Sequence, residues 1–290
     1  MSRRATLLLE QGEILEHQAH PGDQWVLRVH APRTAARARP GQFAHIRVDD
    51  CLPMRRPLSL MRAEPDGGWV EFLYKVVGEG TARLARRRPG ETLDLIAPIG
   101  RPFEVHLSHP RPLLIGGGVG IPPMVFLADR LRREPGWRPL ALLSSEVPFP
   151  FTPRPSQILV DGMPDGVIAA MPLLEDWGIP SRLASLQGFP GCYDGYPTDL
   201  ARHYLDALAP EQRREVEIFA CGPHPMLEAV ARLAQDYGLP AQVALEEFMA
   251  CGVGGCAGCV VAVHTPAGVQ MQRVCVDGPV FDAHAVFPPA

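Results

Sequence analysis

Four cysteines constrain the fold and chemistry of this 290-residue sequence more than any other feature. They follow the spacing C-x4-C-x2-C-x15-C and are Cys251, Cys256, Cys259 and Cys275. The first three positions match a ligand spacing that holds [2Fe–2S] clusters. Glycines between them permit the positive φ angles of a tightly wrapped loop and let backbone N–H groups approach the sulfur atoms. We predict that the four thiolates bind one [2Fe–2S] cluster, with the fourth ligand on a strand at residues 270–276.

A structural zinc site is the alternative for these cysteines. Zinc ribbons usually contain two C-x2-C pairs, whereas here four residues separate the first two cysteines. The spacing therefore favours an iron–sulfur cluster. The other three cysteines, Cys51, Cys192 and Cys221, are not expected to be ligands.

The N-terminal part of the sequence has the pattern of a small β-barrel. Short alternating runs occur at residues 25–29, 42–48 and 69–75, and Pro-Gly and Asp-Gly-Gly turns separate them. Many short strands at regular spacing predict an antiparallel barrel, which we assign to residues 1–106. Residues 1–10 are interpreted as its first strand, because their apolar part is too short for a signal peptide.

Strands and helices alternate in the middle of the chain. Strands are predicted at residues 112–115, 139–143 and 216–220, and helices at 122–133 and 225–237. This alternation implies a parallel sheet with helices on both faces, which we assign to residues 107–240. Residues 147–153 are too rich in proline for a central strand. Residues 241–290 are predicted to form a cluster domain, so the fold class is multidomain α+β and α/β.

Two short motifs in the barrel region indicate flavin binding when they are taken together. They are Arg56-Pro57-Leu58-Ser59 and Gly78-Glu79-Gly80-Thr81. Alone, each is equally well explained as a bend or a helix N-cap. In combination, an arginine can neutralise a pyrophosphate, and a glycine-rich helix start offers N–H groups to the same anion. The Ser59 hydroxyl is then placed to contact the flavin ring.

A glycine run at a strand-to-helix junction indicates dinucleotide binding. Gly117, Gly118 and Gly120 let a dinucleotide approach the backbone, although proline replaces the third glycine of the G-x-G-x-x-G motif. Cys221 ends a later strand, where open α/β sheets bind ligands, and a buried apolar role is its alternative. The candidate catalytic residues are Ser59 and Cys221. Glu146 favours NAD if it contacts a ribose, but a solvated surface position is equally expected.

The net charge and the hydropathy pattern argue against two classes of partner, nucleic acids and membranes. The net charge of −4 gives no reason to expect a nucleic acid partner. No apolar run approaches the roughly 18 residues of a membrane span, so no membrane partner is expected. We therefore expect a cytoplasmic protein, a location that also keeps thiols reduced for metal binding.

These motifs, in this order, resemble the ferredoxin–NADP reductase superfamily. With the cluster lobe in last position, the chain is similar over nearly its whole length to the electron-transfer subunits of class 1B dihydroorotate dehydrogenases. The resemblance implies three cofactors: FAD, a [2Fe–2S] cluster and NAD(P). The implied FAD contacts are Arg56, Pro57, Leu58, Ser59, Leu73, Tyr74, Lys75, Gly80 and Thr81. Leu58 stands where many superfamily members have tyrosine, and an aliphatic residue there is typical of this subfamily.

The resemblance also implies a function and a partner. Such subunits pass electrons between NAD and an FMN-containing catalytic subunit that oxidises dihydroorotate in pyrimidine biosynthesis, and they assemble as heterotetramers. Nothing in this sequence resembles a dihydroorotate site, so that chemistry is expected on the partner.

Two alternatives stay open at this point. One is a related flavin and iron–sulfur subunit that serves another partner, of the sulfide dehydrogenase or transhydrogenase type. The other is a zinc-stabilised regulatory module without redox activity. The apolar residues between 276 and 290 either pack on their own domain or form an interface.

Overall fold

The computed structural model describes residues 7–289. Most of the predicted first strand therefore lies outside the described residues, although the barrel begins at Leu8. Within them, six antiparallel strands close into a barrel in the order β1-β2-β5-β4-β3-β6. The strands are β1 (Leu8–His20), β2 (Gln24–His30), β3 (Phe43–Arg47), β4 (Arg56–Glu64), β5 (Trp69–Lys75) and β6 (Thr92–Ile99). Two short helices accompany them, α1 (Pro32–Ala35) and α2 (Glu79–Leu84).

The predicted barrel is confirmed, and its cause is the alternation of side chains. Along the first half of β1, buried and exposed residues alternate strictly, as expected for a strand with one face in a core. The barrel core contains large apolar side chains such as Phe72, Leu27 and Ile46.

The second domain is the predicted parallel sheet. Its strand order is β11-β8-β7-β12-β13-β16, in which the edge strand β16 is Val280–Asp282. The strands up to β13 are β7 (Arg111–Gly117), β8 (Leu140–Ser144), the two-residue pair β9 (Arg154–Pro155) and β10 (Ala169–Ala170), β11 (Ser181–Ala184), β12 (Val216–Cys221) and β13 (Ala241–Ala244). The helices are α3 (Ile121–Arg132), α4 (Pro172–Asp176), α5 (Pro197–Ala207), α6 (Pro210–Arg213) and α7 (His224–Tyr237). Every residue of β12 is buried, as in sheets covered on both faces.

The strand order places a topological switch point between β7 and β12. From β7 the chain adds β8 and β11 on one side, and it later adds β12 and β13 on the other. Ligands of such sheets bind beyond the carboxyl ends of the strands at this point. Gly116 lies opposite Cys221 there, so the glycine run and Cys221 share one end of the sheet.

The predicted domain boundary at residue 241 assigns one strand of the second domain's sheet to the C-terminal domain. Residues Ala241–Ala244 form β13, which pairs in parallel with β12 and so belongs to the second domain. The chain then leaves for the lobe that carries the cysteines, which contains the hairpin β14 (Val260–Thr265) and β15 (Gly268–Arg273). It returns as β16 (Val280–Asp282), antiparallel to β13, and ends with α8 (Ala283–Val286). We call residues 245–279 the cluster lobe.

The remaining segments pack on the second domain. Val280 and Phe281 are buried, and Phe287 contacts His224 of α7, so the described part of the C-terminal segment packs on its own chain. The proline-rich stretch forms no central strand: Phe149 packs against Phe151 and Phe189, and Pro148 accepts a hydrogen bond from Gln24 of the barrel at 2.7 Å. None of the helices in the described residues is long and apolar enough to cross a membrane.

Candidate functional site

A cavity of about 910 Å³ lies where the barrel, the parallel sheet and the cluster lobe meet. All three contribute to its wall, for example Ser59 from the barrel, Val119 and Cys221 from the sheet, and Ala250 and Gly258 from the lobe. The predicted flavin residues that line the cavity are Arg56, Pro57, Leu58, Ser59, Leu73, Tyr74, Lys75 and Thr81. The structure thus brings together motifs that are far apart in the sequence.

Two adjacent arginines at the start of β4 have different roles. Arg55 forms an ion pair with Asp94 at 2.5 Å and donates to the Asp94 carbonyl at 2.9 Å. Arg56 donates to the Met54 carbonyl at 2.7 Å, and within residues 7–289 it has no carboxylate partner. The Arg56 guanidinium lies against Gly80, where any Cβ would clash with it. The charge of Arg56 is therefore available for an anion, and Gly80 makes the space that its guanidinium occupies.

Thr81 shapes the loop that faces Arg56. Its Oγ1 accepts hydrogen bonds from the N–H groups of Val77 at 3.0 Å and Gly78 at 3.3 Å, and it donates to the Gly78 carbonyl at 3.1 Å. A hydroxyl has a single proton to donate, and here the loop takes it. Thr81 thus acts in this structure as a cap that fixes the loop between β5 and α2.

Tyr74 is tied to a histidine that the sequence did not single out. The Tyr74 hydroxyl lies 2.8 Å from His17 Nε2, and His17 Nδ1 lies 2.8 Å from the Arg87 carbonyl. Because a carbonyl only accepts, Nδ1 carries the proton and Nε2 accepts from Tyr74. Burial lowers the pKa of His17 and raises that of Tyr74, so both groups stay neutral. This chain of hydrogen bonds fixes the position of Tyr74 at the edge of the cavity near β5.

The glycine run serves both packing and access. A Cβ at Gly120 would clash with the backbone of Cys221 and Gly222, so this glycine lets the turn before α3 pack against the end of β12. A Cβ at Gly117 would lie 2.6 Å from Met226 Sδ. Gly118 has a φ of 55° and faces open space. Gly118 is thus the position where the backbone is free to meet a ligand.

Cys221 lines the cavity at the end of β12 and is 1% exposed. Burial, and to a smaller degree the nearby Glu246 carboxylate, raises the pKa of its thiol well above the usual range. The thiol is therefore protonated at neutral pH. It offers the cavity a small, uncharged group.

The cluster lobe brings the predicted ligands into one loop and one turn. Cys259 Sγ and Cys275 Sγ are 3.3 Å apart. Cys275 lies in the turn after β15, rather than in a strand as predicted, because the hairpin ends at Arg273. Arg273 links the end of β15 to the cysteine loop, because its Nη1 donates to the Gly254 carbonyl at 3.1 Å.

The backbone of the loop is arranged to stabilise negative sulfur. The N–H of Gly255 donates to Cys251 Sγ at 3.2 Å, and the N–H of Gly258 donates to Cys256 Sγ at 3.4 Å. Burial opposes ionisation of Cys251, but donors from the backbone outweigh it and lower its pKa to about 6. Burial and the neighbouring Cys259 raise the pKa of Cys275 to about 12. Four cysteines, two of them with backbone amide donors at the sulfur, fit the thiolate ligation of a [2Fe–2S] cluster.

The described residues do not contain a ready site for a single metal ion, since no three His, Cys, Asp or Glu side chains converge on one position. A [2Fe–2S] cluster is a larger group that spreads its four thiolates over two irons. The close pair Cys259 and Cys275 is one half of such a ligand set.

Comparisons with known proteins agree with this arrangement. Residues 246–287 match the family described as the iron-sulfur cluster binding domain of dihydroorotate dehydrogenase B. The chain is 31% identical to the dihydroorotate dehydrogenase B (NAD(+)) electron transfer subunit of Desulforamulus reducens, over 88% of this chain and 89% of the relative. It is 32% identical to the subunit of the same name from Geobacillus kaustophilus, over 86% of each chain.

A solved structure has a similar fold over almost the full length. It belongs to an NADH-dependent reduced ferredoxin-NADP oxidoreductase studied for flavin-based electron bifurcation. The TM-score is 0.73 at 26% identity, and the match covers 95% of this chain and 89% of that chain.

Proposed function

Because this chain belongs to the family of dihydroorotate dehydrogenase B electron transfer subunits, we propose that it carries electrons between a partner's FMN and NAD through its own [2Fe–2S] cluster and FAD. The observation that carries the proposal is the cavity that barrel, sheet and cluster lobe share. When bound there, FAD exchanges electron pairs with a nicotinamide and single electrons with a cluster. The chain's own residues bind and orient the cofactors.

Arg56 is our candidate for the FAD pyrophosphate, since its guanidinium is the unpaired cation of the two arginines at the start of β4. Gly80 provides the space for that guanidinium, and Thr81 holds the loop in shape. Ser59 and Cys221 line the same cavity. We assign to both the contact with the reacting part of the flavin, as uncharged groups with a proton to donate.

We assign the cluster to Cys251, Cys256, Cys259 and Cys275, which the comparison with the cluster-binding family supports. Gly258, next to the last ligand of the loop, also lines the cavity. The loop that holds the cluster thus lies against the proposed FAD site.

We assign NAD(P) to the switch point, where Gly118 faces open space and Gly117 and Gly120 allow close packing. Glu146 is exposed just beyond β8. A carboxylate there accepts from ribose hydroxyls and repels a 2′-phosphate, so we propose a preference for NAD. Both relatives described above carry NAD(+) in their names.

The test compares the activity of the purified chain alone with its activity in the presence of the partner. The purified chain with its cofactors should oxidise NADH with an artificial electron acceptor but should not reduce NAD with dihydroorotate. Adding an FMN-containing catalytic subunit should restore that reaction, and a native mass measurement should give a heterotetramer in a cytoplasmic extract. Turnover of dihydroorotate by the chain alone, or a chain that stays monomeric with the partner present, would contradict the proposal.

One observation supports a second candidate. The solved structure that covers 95% of this chain comes from an NADH-dependent ferredoxin-NADP oxidoreductase, so a related reductase subunit that serves another partner has the same architecture. Co-purification decides between them: a partner with bound FMN supports dihydroorotate oxidation, and a partner without FMN supports the second candidate.

A further inference from the structure

A buried histidine of the barrel lies beneath the cluster loop. His45, in β3, is 0% exposed. Both of its ring nitrogens are buried, and neither makes a hydrogen bond within residues 7–289. Backbone carbonyls of Cys251 and Arg55 face the ring, but not at hydrogen-bonding geometry. Buried polar side chains almost always have partners, so this imidazole points to an interaction that the protein chain alone does not complete.

The cluster loop rests directly on this ring. Gly252 follows the predicted ligand Cys251 and has a φ of 66°, which favours glycine. A Cβ at Gly252 would fall 2.6 Å from His45 Nδ1. Both the backbone conformation and the lack of space thus require glycine at this contact.

His45 also shares its side of the barrel with residues of the cavity. In the β3–β4 pair, His45 lies opposite Pro57 and Phe43 lies opposite Ser59. Alternate residues of a strand, and residues directly opposite each other, point to the same face. Phe43, Pro57 and Ser59 line the cavity. His45 therefore lies on the same face of the barrel as these cavity residues, directly beneath the cluster loop.

We propose that His45 is a positioning residue for the cluster. In the loaded protein its imidazole N–H donates a hydrogen bond to the loop at Cys251, and this hydrogen bond raises the reduction potential of the cluster. An imidazole carries at least one N–H in either protonation state. Hydrogen bonds at the sulfur ligands help set cluster potentials, because they stabilise the added negative charge of the reduced cluster. The inference rests on the proposed function, since it requires the cluster.

Two variants of the full chain test this role against simple packing. His45→Phe keeps a ring but removes the N–H, and His45→Asn keeps an N–H close to the ring's Nδ1 position. An EPR-monitored titration should show that His45→Phe makes reduction of the cluster about tenfold less favourable, a shift of about −59 mV for a one-electron couple. His45→Asn should recover at least half of the shift. His30→Phe, beside Gly68 in the barrel, is the control and should leave the potential unchanged.

A measurement on the unaltered protein tests the role of His45 even where His45→Phe fails to take up a cluster. With ¹⁵N-labelled histidine, pulsed EPR of the reduced cluster should show a histidine ¹⁵N coupling. Absence of that coupling, an unchanged potential in His45→Phe, or equal shifts in the Phe and Asn variants would overturn the proposal. Iron and sulfide content of the unaltered protein tests the cluster separately: their absence would defeat the proposed function itself.

Discussion

Replacing Arg56 with alanine should weaken FAD binding by one to two orders of magnitude. The guanidinium donates to the backbone of Met54 and Arg55 and has no carboxylate partner within residues 7–289, so FAD should supply its counter-charge. A hydrogen bond to a charged group contributes about 1.5–3 kcal/mol. At about 1.4 kcal/mol per tenfold, the dissociation constant should rise roughly 10- to 150-fold.

The assay is a fluorescence titration of FAD into cofactor-free protein, at low and high salt. Arg83→Ala is the matched control, because it removes the same charge from α2, where Arg83 pairs with Glu79 and Asp49. Its FAD affinity should stay within twofold of the unaltered protein. Arg56→Lys should fall between, since lysine keeps the charge but loses the planar fork of donors.

Gly80→Ala tests the same contact from the other side. Alanine is the better helix former by about 1 kcal/mol, so a stability argument alone predicts no harm. Its Cβ would clash with the Arg56 guanidinium, so FAD affinity should still fall at least tenfold. If Arg56→Ala and Gly80→Ala both bound FAD as tightly as the unaltered protein, the assignment of Arg56 to the pyrophosphate would be wrong.

Three further outcomes follow from the site. Cys275→Ala should lose the [2Fe–2S] EPR signal while Cys51→Ala keeps it, and stoichiometric zinc without acid-labile sulfide would contradict the ligand assignment. Tyr74→Phe should lower the free energy of unfolding by about 0.5–1.5 kcal/mol in a denaturant titration, because it removes the bond to His17; an unchanged midpoint would contradict that bond. Since burial raises the pKa of Cys221, iodoacetamide should not label it in the folded protein at pH 8 but should label the exposed Cys51, as peptide mass spectrometry would show.

The parts of the site that the sequence predicts are local. The spacing around Cys251 and the Arg56-Pro57-Leu58-Ser59 motif each lie within one loop or strand, so their residue types and distances along the chain reveal them. The barrel and the parallel sheet were predictable for a similar reason, because side-chain periodicity is a property of single elements.

The parts that the sequence did not predict depend on long-range contacts. His17 meets Tyr74 across 57 positions, and His45 meets Gly252 across a much longer interval. No pattern within either segment indicates its partner. Within the described residues, Arg55 is paired and Arg56 is not because Asp94, on another strand, reaches only Arg55. The sequence alone therefore does not show which of the two neighbouring arginines is available to bind an anion.

The two strands that flank the cluster lobe have a consequence for engineering. Because β13 and β16 are antiparallel neighbours, the chain leaves and re-enters the sheet about 4.8 Å apart. A two-residue Asn-Gly turn is the natural closure for such a pair, so replacing residues 246–278 with that turn would make β13 and β16 a simple hairpin. The product would lack the four cysteine ligands, uncover the buried ring of His45 and lose the part of the cavity wall that Ala250 and Gly258 provide. The lobe is therefore joined to the sheet by a hairpin-like connection but packed into the core of the second domain, where Cys259, Val263 and Cys275 are buried together with residues of the sheet.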